Sequence, residues 1–81
     1  MQVELTKTAE KQLDRLNEPH RSRIVKAIDR LENEPPEGDI IKLTDREGYR
    51  VRVGDYRIFF VIDNNCISIY KIGSRENIYK K

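Results

Sequence analysis

The sequence predicts a single α+β domain over residues 1–81, in which two N-terminal helices pack on one face of a four-stranded, mostly antiparallel sheet. In the first half of the chain, apolar residues recur at helical spacing. In the second half, three runs rich in β-branched and aromatic residues fill residues 49–72. A chain of 81 residues has room for one small domain. The predicted order of elements is therefore β-α-α-β-β-β.

The N-terminal segment predicts a short strand and a first helix. Val3-Glu4-Leu5 alternates apolar and polar residues, as a strand with one buried face does. Thr6 or Thr8 can cap the helix that follows, because a threonine hydroxyl accepts from the free N–H groups of the first turn. The helix carries one apolar stripe, formed by Ala9, Leu13 and Leu16.

A second helix is predicted after Asn17-Glu18-Pro19, which breaks the first. Its apolar stripe comprises Ile24, Ile28 and Leu31. It ends near Glu34, because Pro35-Pro36 removes backbone donors and disfavours helix in the residue before it. A loop follows, and its apolar residues are predicted to anchor it on the core; these are Ile40, Ile41 and Leu43.

Three strands are predicted at Tyr49–Val53, Tyr56–Ile62 and Ile67–Ile72. Two dipeptides separate them, Gly54-Asp55 and Asn64-Asn65, and both tolerate the positive φ of tight hairpin turns. Because two-residue turns fix the register, the face of each side chain can be predicted.

The predicted register divides the sheet into a helix-covered face and an open face. The covered face collects Tyr49, Val51, Val53, Tyr56, Ile58, Phe60, Ile62, Ile67 and Ile69. The open face collects Arg50, Arg52, Arg57, Phe59, Val61, Ser68 and Tyr70. In this register Arg52 lies opposite Arg57, and Phe59 lies opposite Tyr70.

Two arginines directly across a ladder repel each other, which lowers stability and points to a functional demand. Arginine forks match phosphate oxygens, and both guanidinium and aromatic planes stack on bases. The open face therefore suggests a site for an anionic partner. The alternative is a solvated basic face whose repulsion is relieved by carboxylates such as Glu47 and Glu76.

Charge and composition narrow the function further. Residues 1–41 carry seven basic and nine acidic residues, whereas residues 42–81 carry nine and five, so the excess positive charge lies in the strand-rich half. The single cysteine, Cys66, excludes an internal disulfide and a cysteine metal site, and it favours the cytoplasm. The only histidine, His20, is far in sequence from the basic residues, and no cofactor or metal motif is present.

Two segments together resemble the RelE/ParE superfamily of bacterial and archaeal toxins: residues 49–58, YRVRVGDYRI, and residues 73–79, GSRENIY. The helical half agrees with the layout of that superfamily. The resemblance implies a RelE-like fold, and RelE-branch members are endoribonucleases that act on mRNA in the ribosomal A site. Each is neutralised by an antitoxin. The implied partners are thus an antitoxin, mRNA and the ribosome, with DNA reached only through the antitoxin and no membrane contact.

The resemblance also implies a set of site residues. The catalytic positions are Arg50, Arg52, Arg57, Arg75 and Tyr79. The residues expected to hold RNA beside them are Phe59, Tyr70, Lys71, Lys80 and Lys81. The implied reaction is attack by the ribose 2′-oxygen on the adjacent phosphate, which clustered guanidiniums can stabilise without a metal or cofactor.

The chain departs from the RelE pattern in its choice of base. Arginine stands at both positions of the second-strand pair, where lysine is frequent, and arginine does not lose its proton. Ser74 stands where many relatives carry histidine. The general base would then be Tyr79, Lys80 or Lys71.

Two other functions remain open at this point. One is a ParE-like toxin, which inhibits DNA gyrase and cleaves nothing. ParE-type members usually lack the full set of arginines with the tyrosine, which favours the RNA-cleaving branch. The other is a degenerate toxin whose basic face only binds an antitoxin.

Overall fold

A computed structural model describes residues 1–74 as two helices packed against a mixed five-stranded sheet. The strands are β1 (Gln2–Leu5), β2 (Asp39–Lys42), β3 (Tyr49–Val53), β4 (Tyr56–Asp63) and β5 (Cys66–Ser74). The helices are α1 (Lys7–Asp14) and α2 (His20–Leu31). The strand order is β1-β5-β4-β3-β2, with β1 parallel to β5 and the other pairs antiparallel. The α+β class and the two helices before a mostly antiparallel sheet are as predicted.

The prediction of four strands was wrong, because the segment expected to be a loop forms β2 at the edge of the sheet. Ile40 pairs with Val51 and turns toward the core, whereas Ile41 pairs with Arg50 and is 45% exposed. Only Ile40 of this dipeptide therefore anchors the segment. Leu43 N–H donates to Gly48 O at 2.9 Å and closes the loop between β2 and β3.

Both predicted hairpin turns are present. Asn64 and Asn65 have φ of 51° and 62°, and Gly54 has φ of 61°, as tight turns require. The β3–β4 register has Arg52 opposite Arg57, which confirms that prediction.

The β4–β5 register agrees with the prediction only next to the turn. Phe60 lies opposite Ile69 as expected, but Phe59 lies opposite Lys71 rather than Tyr70. A β-bulge at this point leaves Tyr70 as the extra residue on β5. It lets Ile69 and Ile72, three residues apart, both turn into the core. Gln12 Oε1 accepts from the Ile72 N–H at 2.7 Å and ties α1 to this stretch.

The hydrophobic core lies between the helices and one face of the sheet. Its buried members are Ala9, Ile24, Ile28, Leu31, Val51, Ile58, Phe60, Ile67, Ile69 and Ile72. Tyr49, Val53 and Tyr56 pack against it, as predicted. Ile62 was predicted in the core but is 40% exposed; it lies at the end of β4 close to the Asn64-Asn65 turn. In residues 1–74, neither helix is long and apolar enough to cross a membrane.

Candidate functional site

The sheet face opposite the helices carries the predicted cationic cluster. Strand alternation places three arginines there from β3 and β4, and the bulge adds two side chains from β5. We call this surface the arginine face; its members are Arg50, Arg52, Arg57, Phe59, Tyr70 and Lys71. The structure thus brings together every predicted site residue that falls within residues 1–74. The other four, Arg75, Tyr79, Lys80 and Lys81, lie outside the described residues.

Arg52 has an acidic partner that the sequence did not reveal. Its Nε donates to Asp39 Oδ2 at 2.9 Å, and β2 places Asp39 directly opposite it in the ladder. About half of each side chain is exposed to solvent. Asp39 therefore offsets the repulsion between Arg52 and Arg57, which sequence analysis had linked to other carboxylates.

Arg57 is buried, contrary to the expectation of an open position. It is 7% exposed, although it lies on the face of the sheet opposite the helices. Its Nη1 donates to the carbonyl of Tyr56 at 3.2 Å. Its Nε is buried and has no hydrogen-bond partner among the residues that the structure describes. An unpaired buried donor on a charged group carries a full desolvation penalty, which an incoming acceptor would remove.

Arg50 repeats this arrangement on the adjacent strand. Its Nη1 is also buried and finds no acceptor within residues 1–74. Arg50 lies opposite Phe59, two positions along the ladder from the Arg52–Arg57 pair. Two orphaned guanidinium donors on neighbouring strands form a cationic site whose hydrogen bonds an anion can complete.

The aromatic part of the face differs from the sequence-based expectation. Phe59 is only 2% exposed, so its ring forms the floor of the face and offers no free surface for a stacked base. The guanidinium of Arg46 covers that ring, with Cζ 5.5 Å from the centroid. Tyr70 packs against Phe59 at 6.3 Å in a tilted arrangement. Tyr70 and Lys71 are half-buried, so solvent can reach part of each side chain.

Sequence reasoning missed Asp39 and Arg46 because both depend on long-range contacts. The contact of Asp39 with Arg52 requires strand β2. The sequence predicted a loop there, because Pro35-Pro36 lies just before it. Arg46 lies in the loop between β2 and β3, where no periodicity predicts a direction. Asp39 and Arg52 can be recognised as a cross-strand ion pair only when the pairing of β2 with β3 is known.

A family model of the ParE toxin of type II toxin–antitoxin systems matches residues 3–79. The chain belongs to this family, and so to the RelE/ParE superfamily of type II toxins. The match spans nearly the whole chain, so the resemblance drawn from the two sequence segments is confirmed. No curated protein sequence matches this toxin significantly.

Three of the solved structures similar to this toxin are toxin–antitoxin complexes. A chain of the archaeal RelE–RelB complex from Pyrococcus horikoshii is 34% identical, with 91% of this chain and 93% of that chain covered and a TM-score of 0.76. A chain of the RelB–RelE complex from Methanococcus jannaschii is 28% identical, with 93% of each chain covered and a TM-score of 0.78. A chain of the RelBE2 complex from Mycobacterium tuberculosis shares the fold at 24% identity, with 91% and 96% covered and a TM-score of 0.76.

Proposed function

We propose that this toxin is an endoribonuclease that cleaves mRNA in the A site of the ribosome and so stops translation in the cytoplasm. The observation that carries the proposal is the pair of orphaned, buried donors, Arg50 Nη1 and Arg57 Nε, beside the exposed fork of Arg52. Burial of two guanidinium nitrogens that find no acceptor among residues 1–74 lowers folding stability, so it indicates a role other than folding. A phosphate that enters this face supplies the missing acceptors.

The proposed reaction is an internal transesterification of the RNA backbone at the arginine face. The ribose 2′-oxygen attacks the adjacent phosphorus while a general base removes the 2′-hydroxyl proton. The bond from phosphorus to the 5′-oxygen then breaks, and that oxygen takes up a proton from water or from a protonated side chain beside it. The products are a 2′,3′-cyclic phosphate and a free 5′-hydroxyl. The arginines stabilise the charge that develops on the phosphate oxygens in the transition state.

The arginines differ in solvent exposure, and we assign them different roles on that basis. Arg57 is fixed under the face and contributes a rigid, poorly solvated charge. Arg52 is half exposed and offers its guanidinium to the substrate backbone. Lys71, opposite Phe59 on β5, is the candidate general base among the described residues, and Tyr79 and Lys80 are the candidates beyond them.

A ParE-like inhibitor of DNA gyrase is the second candidate, favoured by the family model that matches the chain. The two functions differ in a direct assay. Purified toxin is added to a cell-free translation reaction with a reporter mRNA and, separately, to a gyrase supercoiling reaction. We expect cleavage of the mRNA only when ribosomes are present, and unchanged supercoiling. Inhibition of gyrase without cleavage would overturn the nuclease proposal, and inactivity in both assays would leave a degenerate toxin that only binds its antitoxin.

An acidic antitoxin segment is the proposed inhibitor of the arginine face, since the similar RelE structures are complexes with RelB. Binding to the folded toxin alone stabilises it by mass action, by about 2.7 kcal/mol at 100 times the Kd. In a domain of this size, each kcal/mol raises Tm by about 4–8 °C. We therefore expect a rise of at least about 10 °C with saturating antitoxin. An unrelated acidic protein should give none, and a missing shift with the cognate antitoxin would contradict the proposed partner.

Binding of RNA should weaken steeply as salt is added, because lysines and arginines that meet phosphates release counterions. Each lost contact to a single strand should lower the slope of log affinity against log salt by about 0.7. We expect this change for Arg52→Gln with a labelled RNA oligonucleotide. The matched control is Lys11→Gln, which removes an exposed charge from α1 in the helical layer and should leave the slope unchanged. An equal change in both variants would show that the arginine face is not the phosphate contact.

A further inference from the structure

Asp39 stands out because an acidic residue lies within a face that is otherwise built to receive an anion. Its carboxylate is directly opposite Arg52 and accepts a hydrogen bond from that side chain at 2.9 Å. A carboxylate at this place repels an incoming phosphate, so it would weaken RNA binding if it did nothing else. We therefore expect Asp39 to make a favourable contribution, to stability or to function, that offsets its repulsion of the phosphate.

Folding stability, including relief of the Arg52–Arg57 repulsion, supplies only a small part of that contribution. The side chains of Asp39 and Arg52 are 48% and 54% exposed, and ion pairs this exposed to solvent contribute little to stability. The geometry of the contact is more informative. Asp39 accepts from Nε, at the inner end of the guanidinium, and the two terminal nitrogens of Arg52 have no partner among residues 1–74.

An arginine anchored through Nε keeps its terminal donors free in a fixed plane. Those donors are the pair that binds a phosphate bidentately. Arg52 also faces the buried charge of Arg57, which would push a free side chain away from the face. Anchoring by Asp39 opposes that displacement.

We propose that Asp39 is a positioning residue that holds Arg52 with its terminal nitrogens toward the substrate phosphate, an inference that rests on the proposed nuclease function. Asp39 does not touch the RNA. It lowers the freedom of a side chain that does, and small errors in the position of a catalytic group cost up to about 10²-fold in rate.

Asp39→Asn separates this role from simple electrostatics, because the two give opposite results. Removal of a repelling charge alone would lower KM and leave kcat unchanged or higher. Loss of positioning should instead lower kcat by about 10- to 100-fold, with KM unchanged or lower. Asp39→Glu restores the carboxylate and should recover part of kcat. The control is Asp14→Asn, which breaks an exposed Asp–Arg pair on the helical layer and should leave both constants unchanged.

The experiment measures ribosome-dependent mRNA cleavage under steady-state conditions, together with hydrogen exchange of the Arg52 Nε–H by NMR in the free toxin. We expect faster exchange in Asp39→Asn and a lower kcat. A parent protein that cleaves, with an Asp39→Asn variant of equal or higher kcat, would overturn the positioning role while the nuclease function stands. A parent protein that cleaves no mRNA would overturn the nuclease function, and this role with it.

Discussion

Replacement of Arg57 by methionine is expected to lower the rate of mRNA cleavage by about 10²- to 10³-fold without loss of the fold. The loss corresponds to removal of one preorganised donor from a site where charge develops in the transition state. Methionine keeps most of the buried stem, so no large cavity forms. It also removes an orphaned buried donor and the repulsion against Arg52. Replacement of a buried charge by an apolar side chain of similar size is frequently neutral or stabilising, so Tm should stay level or rise.

The measurement is the rate of ribosome-dependent cleavage of a reporter mRNA, read beside a thermal melt of each variant. Arg57→Lys keeps the charge but loses the planar fork, and its activity should fall between that of the parent and that of Arg57→Met. The matched control is Lys11→Met, which removes an exposed charge from α1 and should leave the cleavage rate at the parental value. If Arg57→Met cleaves as fast as the parent, Arg57 has no catalytic role. If it melts well below the parent, the buried guanidinium serves the fold.

The sequence was sufficient for the β3–β4 hairpin because its register depends on local chemistry. A two-residue turn at Gly54-Asp55 leaves one pairing that keeps the apolar residues of both strands on the same face. Counting outward from this turn places Arg52 opposite Arg57, as the structure confirms. The cluster of arginines on one face could be predicted for the same reason.

The position of Tyr70 could not be predicted, because a bulge breaks the alternation on which the register argument depends. Perfect alternation through β5 would turn Ile72 away from the core once Ile69 faces it. Burial of both isoleucines stabilises the fold more than an unbroken ladder, so Tyr70 becomes the extra residue and Lys71 takes its place opposite Phe59.

The burial of Arg57 and the ion pair of Arg52 could not be predicted from the local sequence pattern either. Arg57 is 7% exposed, and alternation predicts its face but not this exposure. The partner of Arg52 depends on the pairing of β2 with β3, since Asp39 is thirteen residues away in the sequence. Alternation tells which face a side chain is on, whereas its ion pairs across the ladder depend on which strands are neighbours.

Phe60→Ala is expected to destabilise the domain by about 3–5 kcal/mol, because the substitution leaves a cavity in the middle of the core. Phe60 is 1% exposed, and its ring stacks on Tyr49 with centroids 5.6 Å apart. Small domains are stable by about 5–15 kcal/mol in total, so this one substitution removes a large share.

Thermal and denaturant melts of purified variants test this result, and Tm should fall by at least about 12 °C at 4–8 °C for each kcal/mol. Ile62→Ala provides a matched control on the same strand and face. Ile62 is 40% exposed, so its truncation should cost only about 1 kcal/mol. Cleavage by Phe60→Ala, corrected for the folded fraction, should match the parent, since the ring lies on the face opposite the arginines. A midpoint equal to that of Ile62→Ala would mean that the helices do not close over Phe60. A lower rate per folded molecule would mean that the two faces of the sheet are coupled.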